Sequence, residues 1–216
     1  MKYTLWNDQK VSVPTIYIHS FVGNGEDVWK AAHEMNCPPF NLVAIHDFNG
    51  DYDLTPWEAA NVWKGQPPFA GNAMEHLKEI SEELVPEIEA CLPAPSSYRC
   101  MVGYSLAGLF TMWTCWQSSV FERIACVSAS FWYPDFIEFI SMNSMMYIPK
   151  AIYFSLGDKE SKTKHPLMKQ VEECTKTVFS LAENLKIRTI FEMNAGNHFT
   201  EPDKRQAKAI LWLLNQ

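Results

Sequence analysis

The hexapeptide Gly103-Tyr104-Ser105-Leu106-Ala107-Gly108 sets one serine among small residues, after the strand-like run Tyr98 to Val102 and before the helix-like stretch Leu106 to Gln117. A serine hydroxyl becomes a nucleophile when a sharp strand-to-helix turn exposes Oγ and a base stands beside it. The amides that open the next helix then face the negative charge that develops on a substrate. Gly103 supplies the small residue needed two before the serine, whereas Ala107 stands where a second glycine is usual. An ordinary tight turn can carry the same pattern, so a nucleophile elbow here needs partners elsewhere in the chain.

Those partners have candidates. Upstream, Ile16-Tyr17-Ile18-His19-Ser20-Phe21-Val22-Gly23-Asn24-Gly25 runs from a strand into a glycine-containing loop, where a second oxyanion donor is expected from the Phe21 backbone N–H, opposite that of Leu106. A dinucleotide fingerprint fails in this loop, because Val28 occupies the third glycine position. Among six histidines, His198 is the expected base: it sits in Gly196-Asn197-His198-Phe199, between the last strand and the last helix. His19 and His46 end strand-like runs and read as core or supporting residues, and His33, His76 and His165 read as surface positions. For the acid that orients the imidazole, Ser155-Leu156-Gly157-Asp158-Lys159-Glu160 offers two carboxylates. Glu160 is favoured, Asp158 is the close alternative, and Asp135 stands third.

The elbow, Asp53-Leu54-Thr55-Pro56-Trp57, the Phe69-Ala70-Gly71 entry to a long helix, Ser155 to Glu160 and Gly196 to Phe199 together resemble the putative esterase family. That family includes esterase D and the enterochelin-esterase-like proteins of the α/β-hydrolase superfamily, and the resemblance covers nearly the whole chain. It implies hydrolysis of carboxylic esters through Ser105 and His198, with no cofactor and no metal. Some siderophore-esterase-like members work with a serine-histidine dyad, which leaves the acid open between Glu160, Asp158 and none. The order of Ser105, acid and His198 is the one that belongs to the α/β-hydrolase fold. Ala107, and Ser20 where many relatives carry glycine, keep a non-catalytic binding protein of the same fold as an alternative. A thioesterase or peptidase would use the same residues.

The elements that must position these residues follow from hydrophobic periodicity. Short apolar runs at Val13 to His19, Leu42 to His46, Tyr98 to Val102, Ile124 to Val127, Ala151 to Leu156 and Ile187 to Met193 predict buried strands. Between them, Ala73, Leu77, Ile80, Leu84, Ile88 and Leu92 recur at helical spacing over Gly71 to Leu92, with Pro86 a possible kink. Leu106 to Gln117, Pro166 to Leu185 and Pro202 to Leu214 carry similar patterns. Strands alternating with helices predict an α/β fold, a mostly parallel central sheet with helices on both faces, in one domain over residues 1–216. Little room is left for an inserted lid; Phe136 to Ile148 is expected to be a short cover or a helix.

Asp47 to Phe69 shows little periodicity and is expected to be a long ordered loop. Its Trp57 and Trp63, with Phe131 and Trp132 beyond the Ile124 to Val127 strand, are expected to line an apolar substrate pocket at the carboxyl end of the sheet. Composition narrows the partners. A net charge of −7 and no basic run argue against nucleic acid. No apolar stretch is long enough to span a bilayer, and the N-terminus lacks the pattern of a signal peptide. The expected setting is cytoplasmic, with no membrane partner, a small-molecule ester as substrate, and free buried thiols. The identity of the ester and the oligomeric state stay open at this level.

Overall fold

The computed structural model describes all 216 residues. Nine strands and eight helices follow the chain: β1 (Lys2–Trp6), β2 (Thr15–His19), α1 (Glu26–Glu34), β3 (Asn41–His46), α2 (Gly50–Asp53), β4 (Glu58–Ala59), β5 (Phe69–Ala70), α3 (Ala73–Lys78), α4 (Val85–Cys91), β6 (Arg99–Tyr104), α5 (Leu106–Trp113), β7 (Arg123–Val127), α6 (Phe136–Met142), β8 (Ala151–Gly157), α7 (Val171–Asn184), β9 (Arg188–Asn194) and α8 (Pro202–Leu214). Seven strands form one sheet in the order β1-β3-β2-β6-β7-β8-β9. All neighbours are parallel except the β1–β3 edge pair.

Alternation along the strands sends side chains to two cores. Ile16, Ile18, Leu42, Val102 and Tyr153 pack beneath α1 and α8. Tyr17, Val43, Met101, Ile124 and Phe154 pack on the other face against α3, α4, α5 and α7. These strands are buried on both faces, and so they read as continuous apolar runs rather than alternating ones. The mostly parallel sheet between helical layers is the α/β-hydrolase architecture expected from the sequence, with no large lid.

Several elements differ from expectation: the stretch 47–69 carries α2 and β4 rather than loop alone, and β9, expected to be buried, is mostly exposed or half-buried. β1 has no strong local signature, because a five-residue edge strand becomes legible only through its antiparallel pairing with β3, Lys2 opposite His46 to Trp6 opposite Leu42. α1 enters through Gly25 at φ 84°, so close to Ala44 that a Cβ there would lie 2.5 Å from the Ala44 Cβ. The Gly71 to Leu92 helix does form, over Ala73 to Cys91, but with a π-helical turn at Glu79–Leu84 joining α3 to α4. Pro86 lies just past this turn and can donate no backbone hydrogen bond into it, and the helix accommodates the loss by widening rather than stopping. The methionine-rich stretch after Asp135 resolves into α6 followed by a loop.

Candidate active site

Ser105 sits between β6 and α5 with φ 59° and ψ −123°, a backbone conformation that costs energy for a residue with a side chain and points to function. Neighbours hold it there. Its N–H donates to the Val127 carbonyl at 3.1 Å, and its own carbonyl accepts from Ser130 N at 3.0 Å. A Cβ on Gly103 would run into the Ala107 carbonyl and Thr111 Oγ1, which is why glycine stands there. Ala107 is fully buried, and α5 comes close to the next loop at Gly108, where a Cβ would lie 2.7 Å from the Ala129 Cβ. The departure from the usual glycine spacing is thus absorbed one residue later.

His198 comes back to this serine on the loop between β9 and α8. Its Nε2 lies 3.0 Å from Ser105 Oγ, and its Nδ1 lies 2.7 Å from Glu160 Oε2. An ionised carboxylate can only accept, so Nδ1 carries the proton and Nε2 presents a lone pair to the serine hydroxyl. Tyr104 O–H donates to the His198 carbonyl at 2.6 Å and pins the loop.

Glu160 divides its two oxygens. Oε2 serves the imidazole, while Oε1 accepts from Gly157 N at 2.7 Å, Ser128 Oγ at 2.7 Å and Arg205 Nη1 at 3.0 Å. Burial pushes the Glu160 carboxyl up, but the hydrogen bonds from His198, Ser128 and Gly157 outweigh it and hold the group below its ordinary value. Asp158, the alternative acid, is exposed and turned away; its Oδ1 accepts from Gly196 N at 2.7 Å. Asp135 is the αL residue that opens α6. Of the carboxylates considered, Glu160 is the one bonded to His198.

Neither the Phe21 N–H nor the Leu106 N–H has a partner in the chain, leaving both free to meet an oxyanion. The Phe21 ring packs edge-on against Phe48. Beneath it His19 Nε2 meets His76 Nε2 at 2.9 Å, with both rings against Phe110. His76, expected on the surface, is only 3% exposed, because α3 turns it inward onto β2.

A cavity of about 540 Å³ opens on Ser105 and His198, bordered by Phe21, Val22 and Phe199 and by the first turns of α1 and α8. None of the four aromatic residues expected to line a substrate pocket borders it. Phe131 is fully buried against Phe136 and Phe154, and Trp57 packs on Tyr133 and Phe139 while its Nε1–H donates to the Pro134 carbonyl at 3.0 Å. Trp132 packs against the same core, and Trp63 lies exposed in its loop. These aromatics follow the apolar core rather than the site. A wider groove of about 780 Å³ between α6 and α7 is bordered by serines such as Ser161 but by no histidine, and its Lys176 and Glu172 pair at 2.6 Å.

The sequence profile of the family described as Putative esterase matches residues 11–199. The chain belongs to the putative esterase family. It is accordingly an enzyme of ester hydrolysis. The esterase is 28% identical over 213 residues to the uncharacterized protein YbbA of Bacillus subtilis (strain 168), covering 93% of this chain and 85% of that one. Its fold is similar to that of an IroE-like serine hydrolase from Shewanella oneidensis, with a TM-score of 0.82 at 17% identity over 99% of this chain and 75% of that one. It is also similar to the siderophore hydrolase EstA of Aspergillus nidulans, with a TM-score of 0.75 at 17% identity over 99% and 90% of the two chains. No helix of the esterase is long and apolar enough to cross a membrane.

Sequence reasoning missed Arg205, Ser128 and Tyr104. Arg205 alone left a trace: it stands four and eight residues before Ala209 and Leu213 on the buried stripe of α8, a cation at a core position.

Proposed function

We propose that this chain is a serine carboxylesterase working through an acyl-enzyme on Ser105. The reading rests on the unbroken relay from Ser105 Oγ to His198 Nε2 at 3.0 Å and from His198 Nδ1 to Glu160 Oε2 at 2.7 Å. His198 removes the hydroxyl proton as Oγ attacks the ester carbonyl, and the carbonyl electrons move onto oxygen. The N–H groups of Phe21 and Leu106 receive that charge. Glu160 stays ionised and stabilises the imidazolium, whose proton then passes to the departing alcohol. Water repeats the sequence on the acyl-enzyme, giving the acid and free Ser105. None of these steps needs a metal or cofactor.

Hydrolysis of 4-nitrophenyl acetate and butyrate by the purified chain and its Ser105→Ala variant tests this. The reading requires turnover that falls by roughly a thousandfold or more in the variant; equal rates in both contradict it. Its structural neighbour EstA is a siderophore hydrolase, so a siderophore ester belongs in the substrate panel, beside a thioester and an amide that probe the leaving group.

A further inference from the structure

Two imidazoles that take no step in the reaction lie buried behind Phe21. His19 ends β2, two residues before the Phe21 N–H, and is 1% exposed; His76 faces it from α3. Their Nε2 atoms stand 2.9 Å apart. Burial lowers both groups from 6.5, so near neutral pH both rings are uncharged, and one Nε2–H donates to the lone pair of the other. His19 Nδ1 is buried with no partner, which leaves the bond to His76 as the single polar anchor of the ring.

From this pair an aromatic chain leads to the loop that follows β2. The Phe48 ring stands edge-on to His19 at 5.2 Å and edge-on to Phe21 at 5.2 Å, and Phe110 on α5 packs against both imidazoles. The Phe21 ring also lies against Gly50, where a Cβ would come 2.9 Å from Phe21 Cε1. Backbone bonding does less here. Ser20 N–H donates to the Ile45 carbonyl at 2.8 Å and Ser20 Oγ to the Val22 carbonyl at 2.8 Å, but neither the Phe21 nor the Val22 N–H makes a backbone hydrogen bond. The placement of the Phe21 N–H therefore falls largely to side-chain packing, and a donor that must meet an oxyanion tolerates little displacement. Without His76 both nitrogens of His19 would be bare in the core, a cost relieved only by a shift at the end of β2, and with it of Phe21.

We propose that His76 is a positioning residue for ester hydrolysis: through its bond to His19 and the packing of both rings on Phe48, it holds the Phe21 N–H where the oxyanion forms. The inference rests on the esterase reading above and adds to it a residue of α3 that does not border the cavity at Ser105.

The test compares 4-nitrophenyl butyrate with its thiono analogue, in which sulfur replaces the carbonyl oxygen, as kcat/KM for the purified chain and its variants. Sulfur accepts hydrogen bonds weakly, so the ester gains from the oxyanion donors and the thionoester gains little. The ratio of the two rates, each corrected for uncatalysed hydrolysis, reads the donors apart from Ser105 and His198, whose loss slows both substrates alike. His76→Leu should lower kcat/KM for the ester by about tenfold or more, short of the ~100- to 1,000-fold that follows removal of a whole oxyanion donor, and lower the ester-to-thionoester ratio with it. His76→Gln, which can still pair with His19 Nε2, should restore most of both; a ratio no higher than that of His76→Leu overturns the role of the bond. Phe48→Leu leaves the imidazole bond intact and cuts the link to Phe21, so the ratio should fall there too, and this half-buried site serves where His76→Leu does not fold. An unchanged ratio in His76→Leu, or in Phe48→Leu if only that variant folds, overturns the proposal, as does an equal fall for both substrates. Hydrolysis of neither substrate by the unaltered chain contradicts the esterase reading itself, and the positioning role with it.

Discussion

Arg205 Nη1 lies 3.0 Å from Glu160 Oε1, with both side chains only 3% exposed. The same guanidinium reaches the carbonyls of Ala195 at 3.1 Å and Asn197 at 3.0 Å through Nη2, and Ser128 Oγ at 3.2 Å through Nη1. One side chain therefore anchors the acid and the loop that carries His198. A planar fork can serve these acceptors together; an ammonium on a flexible stem cannot.

Replacing Arg205 by Met should strand the Glu160 charge and two loop carbonyls. Breaking one side of a buried ion pair costs about 3–5 kcal/mol, read as a lower urea midpoint with unchanged slope. Arg205→Lys should recover part of the stability but little of kcat. An unaltered midpoint in Arg205→Met would contradict the anchoring role.

Glu160→Gln should keep the shape of the site while offering His198 an amide in place of a charge. A fall in kcat of roughly 1,000- to 10,000-fold is expected, as when a triad acid is neutralised. Asp158→Asn should leave kcat within about threefold, since an exposed side chain that holds only the Gly196 amide resembles other surface substitutions. The reverse ranking would hand the role to Asp158.

Gly103→Ala forces a Cβ into the Ala107 carbonyl and Thr111 Oγ1, neither of which can retreat without moving α5 off β6. Overpacking of this kind costs about 1–3 kcal/mol and should displace Ser105 as well, lowering kcat together with Tm. Ala107→Gly should cost only about 1 kcal/mol through helix propensity and leave kcat nearly unchanged. Thermal unfolding beside initial rates separates the two.

Acid should destabilise the fold in two stages. Burial and then the charge of His76 hold His19 well below its ordinary value of 6.5; burial lowers His76 too, against the opposing influence of Asp53 and Glu79. Groups that bind protons more readily when unfolded lose stability as pH falls below 6.5. Glu160 is depressed from 4.5, so its contribution is present above that value and disappears as pH drops through its folded value. In His76→Gln the slope of unfolding free energy between neutrality and pH 5 should drop by as much as about 1.4 kcal/mol per pH unit, one proton's worth. An identical slope would show that His76 does not titrate on unfolding.

The parts that were legible in the sequence carry their geometry locally. Ser105 is announced by the strand, the glycine and the helix around it, and His198 by its place after the last strand. Glu160 is the favoured acid in the sequence, and the structure bonds it rather than Asp158 to His198, because two residues of turn decide which carboxylate is buried and which faces water. Arg205, Ser128 and Tyr104 were not legible, since each acts on a partner at least 30 residues away in sequence. The aromatic pocket was misplaced for a related reason. Trp57 and Phe131 are apolar side chains near the carboxyl end of the sheet, but the core beneath the loops claims them, and the cavity at Ser105 is walled instead by the Phe21 loop, Phe199 and polar first turns.

The central claim is that Ser105 is the activated nucleophile, and its most direct test is treatment with a fluorophosphonate followed by mass spectrometry and peptide mapping. The account predicts a single adduct on Ser105, absent in Ser105→Ala and formed far more slowly in His198→Ala. Ser130 Oγ lies only 3.4 Å away and serves as an internal control. An adduct on Ser130, or none on either serine in the intact protein, would contradict it.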